Sequence, residues 1–230
     1  MVVNMATRHK GLGAASGSKG PPVAVYQGTV ESESNLTAYT FSSQTIGGSA
    51  TPHHVAVLIY SAQGFSASSA TVTVDGESCT QLAFRGTGTT SANVGIYITN
   101  AATTATSGDV VVTWNSGRAN CAIGVYSIEE LSSTTPLDTA TGTGTTLLST
   151  LVTEDDGLIL IACQDAGGSF SSSCQINGSD GRDGNTNLGG GRGTIGSSID
   201  VPALTAPTTD CASTLAGATG SSAHAHVSLY

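Results

Sequence analysis

The sequence predicts an all-β fold: a two-sheet antiparallel β-sandwich, jelly-roll-like, with an extended N-terminal arm. Three observations carry that expectation. Short apolar runs with period-two alternation recur roughly every 10–20 residues, separated by turn clusters. No stretch holds a helical period beyond one turn, at Ile128 to Leu131. Charged residues make up 10% of the chain, against roughly 25% in average soluble domains, and Gly, Ser, Thr and Ala fill the space. A surface of hydroxyls and small residues suits exposed, β-rich assemblies.

Residues 1 to 22 form a basic, Gly/Ser-rich arm closed by Pro21-Pro22, and residues 23 to 230 form the sandwich. Fixing a backbone costs roughly 1–2 kcal/mol per residue. The arm holds too few apolar residues to recover that alone, so an ordered arm needs a neighbour to lie along.

The body opens with runs at Val23 to Val30 and Leu36 to Ile46. His54 to Tyr60 (HVAVLIY) is apolar on both faces and is expected to be central. Ala70 to Val74 ends at Asp75-Gly76, a turn pair that predicts a hairpin into Cys79, Leu82 and Phe84. Asn93 to Thr99 (NVGIYIT) follows. Asp109 to Leu131 is the organising stretch. Val110, Val112 and Trp114 alternate on one arm, and Cys121, Ile123 and Val125 on the next, around a Ser-Gly turn. That pattern predicts a β-hairpin with Trp114 in the core. The second arm is apolar on its other face too, through Ala122, Tyr126 and Ile128. Thr146 to Val152, Gly157 to Cys163 (GLILIAC) and Ala223 to Tyr230 complete about ten strands. Between them, residues 166 to 200 are Gly-dense and poor in apolar side chains, and are expected to be a surface loop or excursion hairpin.

The net charge is −9, distributed unevenly. Arg8, Lys10 and Lys19 lie in the arm, and every acid lies at or beyond Glu31. Such a body repels nucleic acid and anionic membranes, so neither is an expected partner. No apolar run approaches a membrane span. The five cysteines show no C-x-x-C and no zinc-type spacing. An odd count without a framework, and an N-terminus lacking a signal-peptide core, point to folding in a reducing cytoplasm with thiols free.

The run TVTVDGESCTQLA, with NVGIYIT, SGDVVVTW and CAIGVYSIEEL, resembles β-sandwich structural proteins of tailed-phage virions, such as capsid decoration (cement) proteins and tail or fibre components. The resemblance spans roughly residues 50 to 165 and is one of pattern, without a diagnostic motif. It implies a non-enzymatic virion protein, made in the host cytoplasm and bound to the major capsid protein or another virion protein. The resemblance carries over no functional residues; the basic arm is consistent with it, and the arm's Arg8, Lys10 and Lys19 are the candidate partner-binding residues. A tail-fibre or receptor/glycan-binding module is the alternative.

The residues with chemical potential weigh against catalysis. No serine lies in a G-x-S-x-G elbow, and no catalytic residue, cofactor or metal is expected. His224 and His226 share a strand face and, with His54 or an acid, have the makings of a metal site; two solvent-facing histidines are the simpler expectation. Asp183, Asn185 and Asn187 (with Asp180 nearby) mimic the first ligands of a calcium loop, but Leu188 and Thr194 stand where that loop needs Gly and Glu. Tyr26, Tyr39, Tyr97 and Tyr230 are the aromatics left for sugar stacking. Finally, HVAVLIY, CAIGVYSI and GLILIAC each carry a second apolar face that a two-sheet sandwich would leave open. A neighbouring subunit, as in a homo-oligomer and specifically a trimer, is the expected cover.

Overall fold

The computed structural model describes residues 20–230 except 49, 63–68, 89–91, 155–156, 167–170, 181, 189–190, 199–207 and 218–220. The side chains at 62, 171–172, 180 and 182–198 also fall outside the described set. Seventeen strands follow one another, with no helix among the described residues. They are β1 (Val23–Ser32), β2 (Leu36–Thr45), β3 (His53–Ala62), β4 (Ala70–Val74), β5 (Glu77–Gly86), β6 (Ala92–Thr99), β7 (Ser107–Arg118), β8 (Cys121–Glu129), β9 (Asp138–Thr143), β10 (Thr146–Val152), β11 (Leu158–Asp165), β12 (Ser171–Ile176), β13 (Ser179–Asp180), β14 (Arg182–Leu188), β15 (Gly191–Ser198), β16 (Thr208–Ala216) and β17 (Ser222–Leu229). The all-β expectation stands. The two-sheet sandwich does not describe what is found.

Three antiparallel sheets replace it. The largest has eight strands in the order β1-β8-β3-β6-β5-β4-β7-β2 and curls until β1 and β2 approach each other. The others run β14-β15-β11-β17-β9 and β10-β16-β12-β13. Strand β5 turns the corner of the large sheet. Its start pairs with β4 and the rest with β6, and its register shifts between Gln81 and Ala83. A bulge bends a strand and strengthens its twist, which is what a sheet needs to fold onto itself. The Asp75-Gly76 hairpin forms as expected, with Thr73 opposite Ser78 and both turn residues at positive φ.

The hairpin expected across Asp109 to Leu131 is absent. Strand β7 pairs with β2 and β4, whereas β8 pairs with β1 and β3. The two runs stand on opposite walls of the curled sheet, with their alternating faces turned toward one another. Val110, Val112 and Trp114 meet Cys121, Ile123 and Val125 in one apolar cluster, joined by Val55, Val57 and Ile59 of β3. Alternation reports which face a strand buries; it does not name the strand beside it.

Two more cores lie outside this barrel-like sheet. The outer face of β3, β6 and β8 (Leu58, Tyr60, Ile96, Tyr126) packs on Leu158, Leu160, Val227 and Leu229 of β11 and β17. The far side of β11 then packs against β10, β12 and β16 through Ile159, Ile161, Cys163, Leu151, Cys174 and Leu215. The described residues thus form four β layers around three cores. The doubly apolar strands β3, β6, β8 and β11 each belong to two of those cores; every described residue of β6, β11 and β17 is buried, as are Cys121 to Ile128 of β8. The second apolar faces are therefore covered by the chain's own layers, and they no longer call for a neighbouring subunit.

The segment expected as a loop or excursion hairpin carries β12 to β15. Strands β14 and β15 pair with each other and extend the sheet beyond β11. The arm, with Arg8, Lys10 and Lys19, lies outside the described residues.

Candidate functional site

A buried polar cluster lies between the two smaller sheets. Alternation along β17 sends Ala223, Ala225, Val227 and Leu229 into the middle core and His224 and His226 the other way. Both histidines are fully buried rather than solvent-facing, because β10 and β16 cover them. Each finds a hydroxyl there. Ser213 Oγ of β16 lies 2.6 Å from His224 Nδ1 and 2.8 Å from His226 Nε2. Ser149 Oγ of β10 lies 2.7 Å from His226 Nδ1, and His224 Nε2 lies 2.7 Å from the carbonyl oxygen of Gly144 in the β9–β10 turn.

With both rings neutral, this geometry allows one arrangement of protons. The Gly144 carbonyl can only accept, so His224 Nε2 donates to it and His224 Nδ1 is an acceptor. Ser213 must then donate to His224 Nδ1, which leaves its oxygen to accept from His226 Nε2. His226 Nδ1 becomes the acceptor for Ser149. The result is a one-way chain, Ser149 to His226 to Ser213 to His224 to Gly144, with each of these ring nitrogens and hydroxyl protons paired. Burial, with the His224 ring beside it, pushes the His226 pKa down to about 3, which keeps that ring neutral. The relay ties β9–β10, β16 and β17 together. Ser213 is buried, and both partners of its hydroxyl are imidazoles, so it serves as a brace between β16 and β17.

Cys163 faces the same layer, opposite His224 in the β11–β17 ladder. Its sulfur lies 4.0 Å from that of Cys174 on β12. The Cys174 S–H and the His224 ring hold the Cys163 thiol below its ordinary range, against the effect of burial. Burial pushes Cys79, Cys121 and Cys211 up to about 12.

His54, the third histidine weighed for a metal, approaches the Thr99 carbonyl oxygen at 3.0 Å instead. No group of three or more His, Cys, Asp or Glu side chains suited to a metal occurs among the described residues. Asp183, Asn185 and Asn187 fall along strand β14, with side chains outside the described set. The sugar-stacking candidates are mostly built into the fold. Tyr39 is buried and donates to the carbonyl of Arg118 at 2.5 Å; Tyr97 is buried and donates to that of Ala70 at 3.1 Å. Tyr26 leans on Tyr126 with ring centroids 5.3 Å apart. Trp114 is in the core as expected, with the Arg118 guanidinium 4.8 Å above its ring. Burial lowers the Arg118 pKa.

No protein-family model matches the chain, and no curated protein does. Among solved structures, the PBSX exported protein XepA superposes on it with a TM-score of 0.24 at 12% identity, over 90% of this chain and 86% of that one. A likeness at that level carries no argument about fold or role.

Sequence reasoning found the histidine pair but missed Ser149 and Ser213. In a chain this rich in serine, two particular hydroxyls carry no signal. Only the stacking of β10 and β16 on β17 selects them.

Proposed function

We propose that this chain is a non-enzymatic structural protein of a tailed-phage virion, a capsid decoration protein held to the major capsid protein by its basic N-terminal arm. The observation that supports it most is the sealing of the polar interior. The imidazoles of His224 and His226 and the hydroxyl of Ser213 serve as internal braces. What the fold turns outward on β2, β5, β9 and β10 is largely Thr, Ser, Gln and Glu. A braced, four-layer block with a hydroxyl-rich exterior suits a shell component better than a site for turnover. The tail-fibre or glycan-binding alternative is weakened by the locking of Tyr39 and Tyr97 into the core.

The anchoring role belongs to Arg8, Lys10 and Lys19, with a homo-oligomer on the particle as the accompanying proposal. Co-sedimentation with empty parent capsids tests it. Full-length protein is expected to pellet with the shells, and a chain lacking residues 1 to 22 to remain in the supernatant while still folded. Equal pelleting of both would remove the arm from the mechanism. Binding to a glycan array but not to capsids would move the protein to the fibre reading.

A further inference from the structure

We propose that Cys163 and Cys174 form an oxidisable pair that closes into a disulfide joining β11 to β12 when the protein meets a small peroxide. The two thiols face each other across the third core from strands of different sheets, 4.0 Å apart at sulfur. A disulfide needs about 2 Å, so closure asks for about 2 Å of approach.

The surroundings single out Cys163 among five free thiols. It sits opposite His224 in the ladder with the Cys174 sulfur 4.0 Å away, and its thiolate is favoured where the other three are suppressed. Thiolate character governs reactivity with peroxide. Cys211, although in the same core, directs its S–H to the Thr209 carbonyl at 3.8 Å, and Cys121 directs its own to the Ala122 carbonyl at 3.9 Å. Access is by local opening. Strand β12 pairs with β16 along its length but with the two-residue β13 only at Gln175 and Ile176, so Cys174 has a ladder on one side only.

The chemistry balances with peroxide as the oxidant. The Cys163 thiolate attacks one peroxide oxygen, the O–O bond breaks, and hydroxide leaves to become water, giving a sulfenic acid. The Cys174 thiolate then attacks that sulfur and expels the second hydroxide, also released as water. Two thiols and one hydrogen peroxide become one disulfide and two waters.

The test uses the reduced full-length chain and hydrogen peroxide, followed by denaturation, alkylation and peptide mapping. Three of the five thiols are expected to remain alkylatable, with one dithiothreitol-reversible cross-link between the Cys163 and Cys174 peptides. Cys121→Ser should still lose two thiols to that link. Cys174→Ser should lose the link and accumulate a dimedone-trappable sulfenic acid at Cys163. Five alkylatable thiols after peroxide in the unsubstituted protein, a link between any other pair, or a Cys163 that goes on to sulfinic acid with Cys174 still free, each overturns the proposal.

Discussion

The first and third cores solve the same problem with different materials. Inside the curled sheet, Val, Ile, Tyr and Trp fill the space, and the cation that enters, Arg118, lies over Trp114. Between the two smaller sheets, aliphatic side chains share the space with two imidazoles, several hydroxyls and three thiols. The first core gains mainly from removing apolar area from water, about 25 cal/mol per Å². The third gains less that way and depends on satisfying each buried donor and acceptor, since an orphaned one costs about 1–3 kcal/mol. Stability in one region should therefore follow volume. In the other it should follow protonation and hydroxyls.

The largest expected effect breaks the apolar side. Trp114→Ala removes a buried indole and the platform under Arg118, and should cost about 3–5 kcal/mol in urea unfolding. A loss below 1 kcal/mol would mean that this core collapses around the gap.

Acid should strike the polar side. The folded-state pKa of His226, about 3, lies below the 6.5 of an unperturbed histidine. The unfolded chain therefore binds a proton that the folded chain refuses. This contribution is fully present above pH 6.5 and is lost progressively as pH falls toward 3, reaching on the order of 3 kcal/mol by pH 4. Comparing urea midpoints of the unsubstituted protein and His226→Gln between pH 7 and pH 4 isolates it. Parallel pH slopes for the two proteins would sink the idea.

Ser213→Ala is the next largest. It leaves His224 Nδ1 and His226 Nε2 without their shared hydroxyl, at a cost of roughly 2 kcal/mol. Thr should restore part of it, because the hydroxyl returns; full stability in the Ala variant would show that the relay does not brace the sheets. The smallest effect is the control. Leu148 is 74% exposed on the outer face of β10, and Leu148→Ser should shift stability by less than about 0.5 kcal/mol. A larger loss, measured on the same urea curve, would reveal a contact on that face.

Local pattern by itself determined much of this protein. Alternation placed strands over β3, β4, β6, β8, β10, β11 and β17 with little error, put Trp114 inside, and set the turn at Asp75-Gly76. Apolar residues on both faces marked β3, β8 and β11 as strands covered on both sides. These are properties of a single strand, written within a few residues of each other. What covers a strand is a relation between distant segments, and only the tertiary structure decided it. Strands β7 and β8 have the pattern of a hairpin yet face each other across a core, because burying two apolar faces against one another satisfies the same alternation as pairing edge to edge. Strands β12 to β16 carry too few apolar residues to announce themselves, and are held by ladders to neighbours whose own patterns are strong. The second faces that suggested a partner subunit found their cover in the same chain. The histidines of β17 were buried by serines 11 and 77 residues away. Burial depends on which layers stack, and no local period encodes that.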